Sequence, residues 1–384
     1  MSFEKKAHMK IQIKEVHSSA DLNAFIKFQF KHYAGNKYWV PPLIRDEKQY
    51  LSKRNPVLKH GEMQLILAYF NGKIVGRAAA IINHRENETL NVKHARFGWL
   101  EFINKIDVSK ALFKYLEDWA KARGMTAIKG PFGFTNFDKA GMLYEGFDQL
   151  STMATIYNHS YYPKHLESLG YKKLADWFEF WAEVPKETPE KITQLSKVIY
   201  ERYGLRDLPV KKKKDIHLLL NQFFPLVEKA YAEIEGFVPF TPEQIDFYKK
   251  RFSRFVNPNL TKFVADSEGR LIAFGISMPS FSKALQKANG KLFPFGIFAI
   301  HKALRKNDKA DLYLIGVHPD WQGKGIPAII MNAIIDGMRN FGIQSAESNP
   351  ELETNNKLHQ MMARYNTHTH KKRRVFIKEL YDLD

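Results

Sequence analysis

Residues 311–328 read Asp-Leu-Tyr-Leu-Ile-Gly-Val-His-Pro-Asp-Trp-Gln-Gly-Lys-Gly-Ile-Pro-Ala, and their order decides how the second half of the chain folds. The apolar run Leu312–Val317 predicts a buried strand. Gln322-Gly323-Lys324-Gly325 predicts a tight turn, and the pattern from Ala328 to Phe341 a helix. A strand that hands a glycine-rich turn to a helix N-terminus makes an anion cradle. Its backbone N–H groups lack intrahelical partners, the helix dipole adds positive potential, and glycine lets the anion approach closely. Two phosphate-loop patterns fail on spacing. A Walker A loop needs four residues between its first glycine and Gly-Lys, whereas six separate Gly316 from Gly323, and Gly325 stands where Ser or Thr is required. A dinucleotide fingerprint needs a third glycine, and Ala328 stands there instead.

The stretch resembles the pyrophosphate loop of the GNAT acyltransferases, Arg/Gln-x-x-Gly-x-Gly/Ala after a strand ending Val-x-Pro. The likeness runs through Val317-His318-Pro319 and Gln322–Ile326 and departs at Pro327, where the family has a small residue. Proline suits the first turn of a helix but withdraws one N–H from the cradle. The resemblance implies acetyl-CoA or another acyl-CoA as donor. Gln322, Gly323, Lys324, Gly325 and Ile326 would hold its pyrophosphate, and the backbone of Leu314–Val317, including Ile315 and Val317, its pantetheine arm. Asn349 and Asn355 follow the next strand; Asn355 resembles the family's asparagine that opens the last helix and contacts the arm. The same residue suits a helix N-cap.

Working outward, the chain repeats one plan. In the first half a strand (Met9–Val16) and a helix (Leu22–Tyr33) precede a hairpin, Gln64–Phe70 and Lys73–Asn83 around Asn71-Gly72. A strand (Ala95–Ile103), a helix (Val108–Arg123), a strand (Thr126–Ile128), a helix (Tyr161–Leu169) and a last strand (Trp177–Val184) follow. The second half runs in the same order: helix 216–235, hairpin strands Thr261–Asp266 and Leu271–Pro279, strand Leu312–Val317 and helix Ala328–Phe341. It ends with strand Ser345–Glu347, helix Asn355–Tyr365 and strand Arg373–Leu380. This order is similar to the GNAT plan in both halves. The expected fold is α+β in layers: two GNAT-like domains, each a mixed, mostly antiparallel sheet flanked by helices. The proline-rich Pro185–Pro189 sets the expected division at 1–186 and 187–384. In the first half the turn corresponding to the phosphate loop, Asn104–Ser109, has no glycine. The first domain is therefore expected to be degenerate and to shape the acceptor site. The segment Gly130–Asp148 carries four glycines among phenylalanines and resembles a block found in a group of tandem GNAT-like proteins. Asn136, Asp138 and Glu145 are its candidate acceptor-pocket groups, or else caps of its turns.

Acyl transfer to an amine needs an oriented thioester, a deprotonated amine and a stabilised oxyanion. Glu347 is the candidate base, with Asp311 and Tyr313 as alternatives; a salt-bridged strand-end role suits Glu347 equally. The tyrosine that protonates the leaving thiolate in the family is matched by Met362, which has no proton to give. Tyr365, about one turn on, is the candidate substitute, and its other reading is a core residue. His368 and His370 alternate on one strand, but no third ligand of suitable spacing is visible, so no metal is expected.

Composition sets the outer bounds. The 384 residues suffice for more than one core, 44% are hydrophobic, and there is no cysteine, which excludes disulfides and a thiol nucleophile. The N-terminus lacks an apolar core of the signal-peptide kind. The longest apolar stretch, Leu292–Ile300, is too short to span a bilayer, so a cytoplasmic protein is expected. A net charge of +18, densest at Lys211–Lys214 and Lys371–Arg374, attracts polyanions. No base-reading motif accompanies it. The expected function is transfer of an acyl group, in the first instance acetyl, from acyl-CoA to an amine of an unidentified acceptor, with lipid and carrier-bound amines among the candidates. The competing expectation is a non-catalytic scaffold of the same fold that binds anionic lipid or nucleic acid, and peripheral contact with an anionic membrane is compatible with both.

Overall fold

Asn71 and Gly72 both take positive φ, 47° and 72°, the geometry of a type I′ turn. They close the first hairpin of a computed structural model that describes residues 10–52, 55–135, 137–188, 190–210, 213–232, 237–252 and 256–381. The extreme N-terminus, Asn136, Lys211 and Lys212 lie outside the described residues.

The chain forms two compact units. The first comprises residues 1–178, 288–292 and 371–384, the second 179–287 and 293–370. They are therefore not the contiguous segments 1–186 and 187–384, because each of two long strands serves both units. Strand β7 (Lys172–Glu183) leaves the first unit after Phe178, and β14 (Thr367–Glu379) enters it at Lys371.

In the first unit the remaining strands are β1 (Gln12–Glu15), β2 (Gly61–Phe70), β3 (Lys73–Asn83), β4 (His94–Phe102), β5 (Ala127–Gly130) and β6 (Met142–Glu145). Its helices are α1 (Ser19–His32), α2 (Ile44–Tyr50), α3 (His84–Leu90), α4 (Ile106–Lys121) and α5 (Tyr161–Ser168). The sheet order is β1-β2-β3-β4-β5-β14, antiparallel except for the parallel β4–β5 pair. Ser18 caps α1: its hydroxyl accepts the Asp21 N–H while Asp21 returns a bond to the Ser18 N–H. On α4, Val108, Leu112, Phe113, Leu116 and Trp119 recur at helical spacing and share one core with Ile66, Ala80, Phe97 and Phe102.

The second unit holds β8 (Arg206–Asp207), β9 (Thr261–Ala265), β10 (Leu271–Pro279), β11 (Lys309–Val317), β12 (Ser345–Ser348) and β13 (Glu351–Leu352). Helices α6 (Glu190–Tyr203), α7 (Lys213–Tyr231) and α8 (Pro242–Phe252) precede its hairpin. Helices α9 (Ser282–Ala288) and α10 (Gly296–Arg305) stand between β10 and β11, and α11 (Ile326–Phe341) and α12 (Asn356–Met362) come later. The order β7-β12-β11-β10-β9-β8 again has one parallel pair, β11–β12. Ile326, Ile329, Ile330, Ile334 and Met338 of α11 pack with Val264, Ala273, Ala310 and Ala346. Each such side chain contributes about 2 kcal/mol on burial.

Helix α11 approaches the sheet rim so closely that a Cβ at Gly337 would stand 1.9 Å from the Asn259 carbonyl oxygen. Gly337→Ala should destabilise the chain by about 3 kcal/mol, the upper range for overpacking, in a denaturant melt. A loss below about 0.5 kcal/mol, the size of an ordinary surface change, would show that this approach is not made.

Candidate functional site

The parallel pair in the second unit stops early. β11 and β12 pair from Lys309↔Ser345 only as far as Leu312↔Ser348. One residue further on, β11 bulges. Ile276 pairs with Leu314 and Ser277 with Leu312, so Tyr313 is skipped. A bulge re-aims a strand and adds local twist, and beyond it β11 has no second strand partner among the described residues. Two side chains reach its open edge. Asn349 Nδ2 donates to the Tyr313 carbonyl at 2.9 Å, and the Tyr231 hydroxyl donates to the Ile315 carbonyl at 3.0 Å. Among the described residues no donor reaches the buried Asn349 Oδ1. Beside the bulge lies a wholly apolar cavity of ≈20 Å³, lined by residues that include Leu220, Phe223 and Phe224 of α7, Ile276, Tyr313 and Leu314.

The other end of β11 delivers the glycine turn. Gly323 and Gly325 take φ of 75° and 79°, values that favour glycine. Among the described residues, no backbone carbonyl accepts from the N–H groups of Gly323, Lys324, Gly325 or Ile326. Gly325 caps α11, and Pro327 sits in the first turn. A Cβ on Gly325 would stand 2.7 Å from Ile199 of α6. Lys324 does not reach freely into solvent: its ammonium lies 4.5 Å from the Trp321 ring centroid and 5.5 Å from that of Tyr203. The turn therefore offers an anion backbone donors, with one cation held beside them.

On the sheet behind this fork the structure gathers charge. Glu347 is fully buried, and the Lys309 ammonium bonds one of its oxygens. His370 Nε2 lies 3.3 Å from the other. One ligand atom each from Glu179, Glu347 and His370 falls within 4.8 Å of the others. The three residues come from three strands, β7, β12 and β14, which is why no linear spacing displays them. Asp311, directly in register with Glu347, is buried too. Glu351, on β13, was not singled out by the sequence. Burial pushes its carboxyl up to about 8, although part of the residue still reaches solvent. Burial, and then the Glu351 charge, raise the pKa of the Tyr231 hydroxyl, which keeps it a donor to β11.

The remaining candidates fall as follows. Val317 ends β11 and is buried. Asn355 caps α12, accepting from the Leu358 N–H. Tyr365 ends the short 3₁₀ turn after α12 and is half-buried, while Met362 is buried. In the first unit Asp138 accepts from the N–H groups of Phe134 and Thr135, both at 2.8 Å, and so holds its own loop. Glu145 ends β6, with its side chain 65% exposed.

The first unit contains the same fork, but closed. β4 and β5 pair only over His94–Arg96 and Ala127–Lys129, and the β3–β4 register shifts further along. There Phe102 donates its N–H to the Tyr162 hydroxyl at 2.9 Å, and the Tyr161 hydroxyl donates to the Phe102 carbonyl at 2.5 Å. The edge that stands partly open in the second unit is here filled by the chain's own tyrosines.

The fold recurs in known proteins. Residues 220–365 match the model of the acetyltransferase (GNAT) family. Residues 220–365 are thus similar to the GNAT family, and the chain as a whole has a fold of two GNAT-like domains. A tandem GNAT protein from the clavulanic acid biosynthesis pathway superposes with a TM-score of 0.58 at 10% identity, covering 98% of this chain and 100% of that one. A GCN5-related N-acetyltransferase from Sphaerobacter thermophilus gives 0.53 at 12% identity over 97% and 98%. In sequence, the chain is 28% identical to Protein YghO of Escherichia coli (strain K12) over 94% of its length and 93% of the relative's. It is 27% identical to the bacterial ceramide synthase of Caulobacter vibrioides (strain NA1000 / CB15N), over 95% and 96%.

Removing the Glu347 charge leaves Lys309 facing a neutral amide in a largely buried setting. Glu347→Gln should cost about 3 kcal/mol in stability, the lower end for breaking a buried pair, because Lys309 keeps some solvent. Thermal unfolding with and without Lys309→Met in the same chain checks it. If the double variant is no more stable than Glu347→Gln alone, the pairing is not what holds this carboxylate.

Proposed function

We propose that the second unit transfers an acyl group from acyl-coenzyme A to the amine of a long-chain, lipid-like acceptor. The observation that carries the reading is the open edge of β11: a fork beside the Tyr313 bulge that runs into a turn of undirected N–H groups. When bound, acyl-coenzyme A supplies an activated thioester carbonyl. The chain's part is to hold it and manage protons. The N–H groups of Gly323–Ile326 hold the pyrophosphate, and Asn349 Oδ1, a buried acceptor without a donor among the described residues, takes an amide N–H of the pantetheine arm. The new bond joins the amine nitrogen to the acyl carbon as the carbon–sulfur bond breaks; the amine loses a proton and the thiolate gains one.

Glu351 is the better base of the two carboxylates. A carboxyl poised near 8 gains a proton readily at working pH, whereas Glu347 is committed to Lys309 and His370. Tyr365 then serves the thiolate. One likeness favours an acyl group longer than acetyl and a lipid-like amine. One relative is named a bacterial ceramide synthase, and a ceramide is a long-chain amine bearing an amide-linked acyl chain.

Calorimetric titration with acetyl-coenzyme A and a long-chain acyl-coenzyme A should find one site, tighter for the long chain and lost in Gly325→Glu. No binding of either by the wild-type chain would overturn the reading. Glu351→Gln should lower kcat about 10²-fold. Since a base works deprotonated, wild-type kcat/KM should rise with pH through about 8, the value set by Glu351 burial, and that limb should vanish in the variant. An unchanged limb would remove Glu351 from the reaction and leave the cofactor site standing.

A further inference from the structure

We propose that Phe293–Lys306 is a docking element by which the second unit seats itself on an anionic lipid surface. The segment contains the apolar run that is too short to cross a bilayer. It folds as α10 with the three residues before it exposed. Phe293 is 65% exposed, Phe295 80%, Ile297 36% and Phe298 70%. Single exposed hydrophobic residues are ordinary on a protein surface, but four within six positions form a patch. The exposure does not come from a poorly packed helix. Gly296 and Ala303 are buried and Ala299 and Ile300 partly so, at the three- and four-residue spacing of one inward face. Helix α10 is thus anchored on one side and carries its phenylalanines on the other.

The charge of the segment says what covers it. From Phe293 to Asn307 there is no Asp or Glu, while Lys302, Arg305 and Lys306 are cations; the next residue, Asp308, pairs with Lys283. On α10 the apolar residues occupy the first turn and the cations the last. His301, Lys302, Arg305 and Lys306 are exposed. Cations in a last helical turn also complement the helix dipole, but that leaves the exposed phenylalanines unexplained. A second copy of the chain would bring the same cations against themselves. An anionic bilayer meets both requirements at once: acyl depth for the aromatic rings and headgroup phosphates for the lysines and arginine. No helix among the described residues is long and apolar enough to cross a membrane, so the contact is lateral and reversible. The inference does not depend on the acyl-transfer reading, because its test reads lipid binding and not turnover.

The absence of cysteine makes a site-specific reporter direct. The full chain with Phe298→Cys, labelled with a polarity-sensitive dye, is mixed with phosphatidylcholine vesicles with or without phosphatidylglycerol. A blue-shifted signal only with the anionic vesicles, weakened by salt, is the expected result. In co-sedimentation, Phe293→Ser with Phe295→Ser should reduce binding about tenfold or more, as loss of buried apolar surface requires. Lys302→Glu with Arg305→Glu should abolish the preference for anionic vesicles. Co-sedimentation with an unmoved dye would mean that the diffuse positive surface binds elsewhere, and would overturn the assignment. So would a dye shift caused by self-association without vesicles, or no vesicle binding at all.

Discussion

The feature on which the second unit turns is a hydrogen-bonded ladder that ends too soon. Four residues of β11 pair with β12, and then the strands part at Leu312 and Ser348. Backbone groups left at such a fork must be satisfied or stay wet. The bulge at Tyr313 rotates the strand where pairing fails, and Asn349, the first residue past β12, turns back. Its N–H bonds the Leu312 carbonyl and its side chain the Tyr313 carbonyl. Tyr231 covers one more carbonyl from α7. The fork is therefore held open by donors that satisfy carbonyls without closing the strands. In the first unit the same shape is met by Tyr161 and Tyr162, which take both the carbonyl and the N–H of Phe102. One topology thus gives two outcomes, decided by which side chains face the gap.

Charge placement follows from the same sheet. Asp311 and Glu347 are register partners, so parallel pairing brings two carboxylates side by side on one face. Burying both without cations would raise at least one pKa strongly. Lys309, two residues before Asp311 on the same strand and hence on the same face, bonds Glu347 directly. Glu351 is moved by burial alone. Two glutamates four positions apart thereby meet different surroundings: Lys309 bonds Glu347, and burial raises the pKa of Glu351.

What the sequence revealed was local. Asn71-Gly72 specified its hairpin, Gly124 and Gly170 stopped their helices with positive φ, and the glycine turn led into α11 as its spacing required. Where contacts join distant positions, the pattern was silent. Tyr231 reaches Ile315 across 84 residues, and Lys309 reaches Glu347 across 38. Glu351 carries no motif, since its behaviour comes from burial. Asn349 could be placed near the fork but not given its bond to Tyr313. The final strand was read from Arg373, whereas it begins at Thr367, because the run of His, Thr and Lys there lacks an apolar alternation. Helix α10 was read only as an apolar run. Its phenylalanines face outward, so the periodicity that marks a buried helix face is reversed.

The apolar cavity beside the bulge limits how an acyl chain is held. At ≈20 Å³ it has room for about one water, so in this conformation it admits little beyond the methyl end of an acetyl group. A longer chain enters only if a wall moves. The β10 and β11 walls are fixed by their ladder, whereas the wall made by Leu220, Phe223 and Phe224 belongs to α7. That helix carries Pro225 in its interior, where a proline removes one backbone hydrogen bond and crowds the preceding turn. The helix that covers the cavity is therefore also the one whose own ladder is weakest at that point. On the acyl-transfer reading proposed above, acyl length would depend less on the volume seen at rest than on how far α7 bends at Pro225.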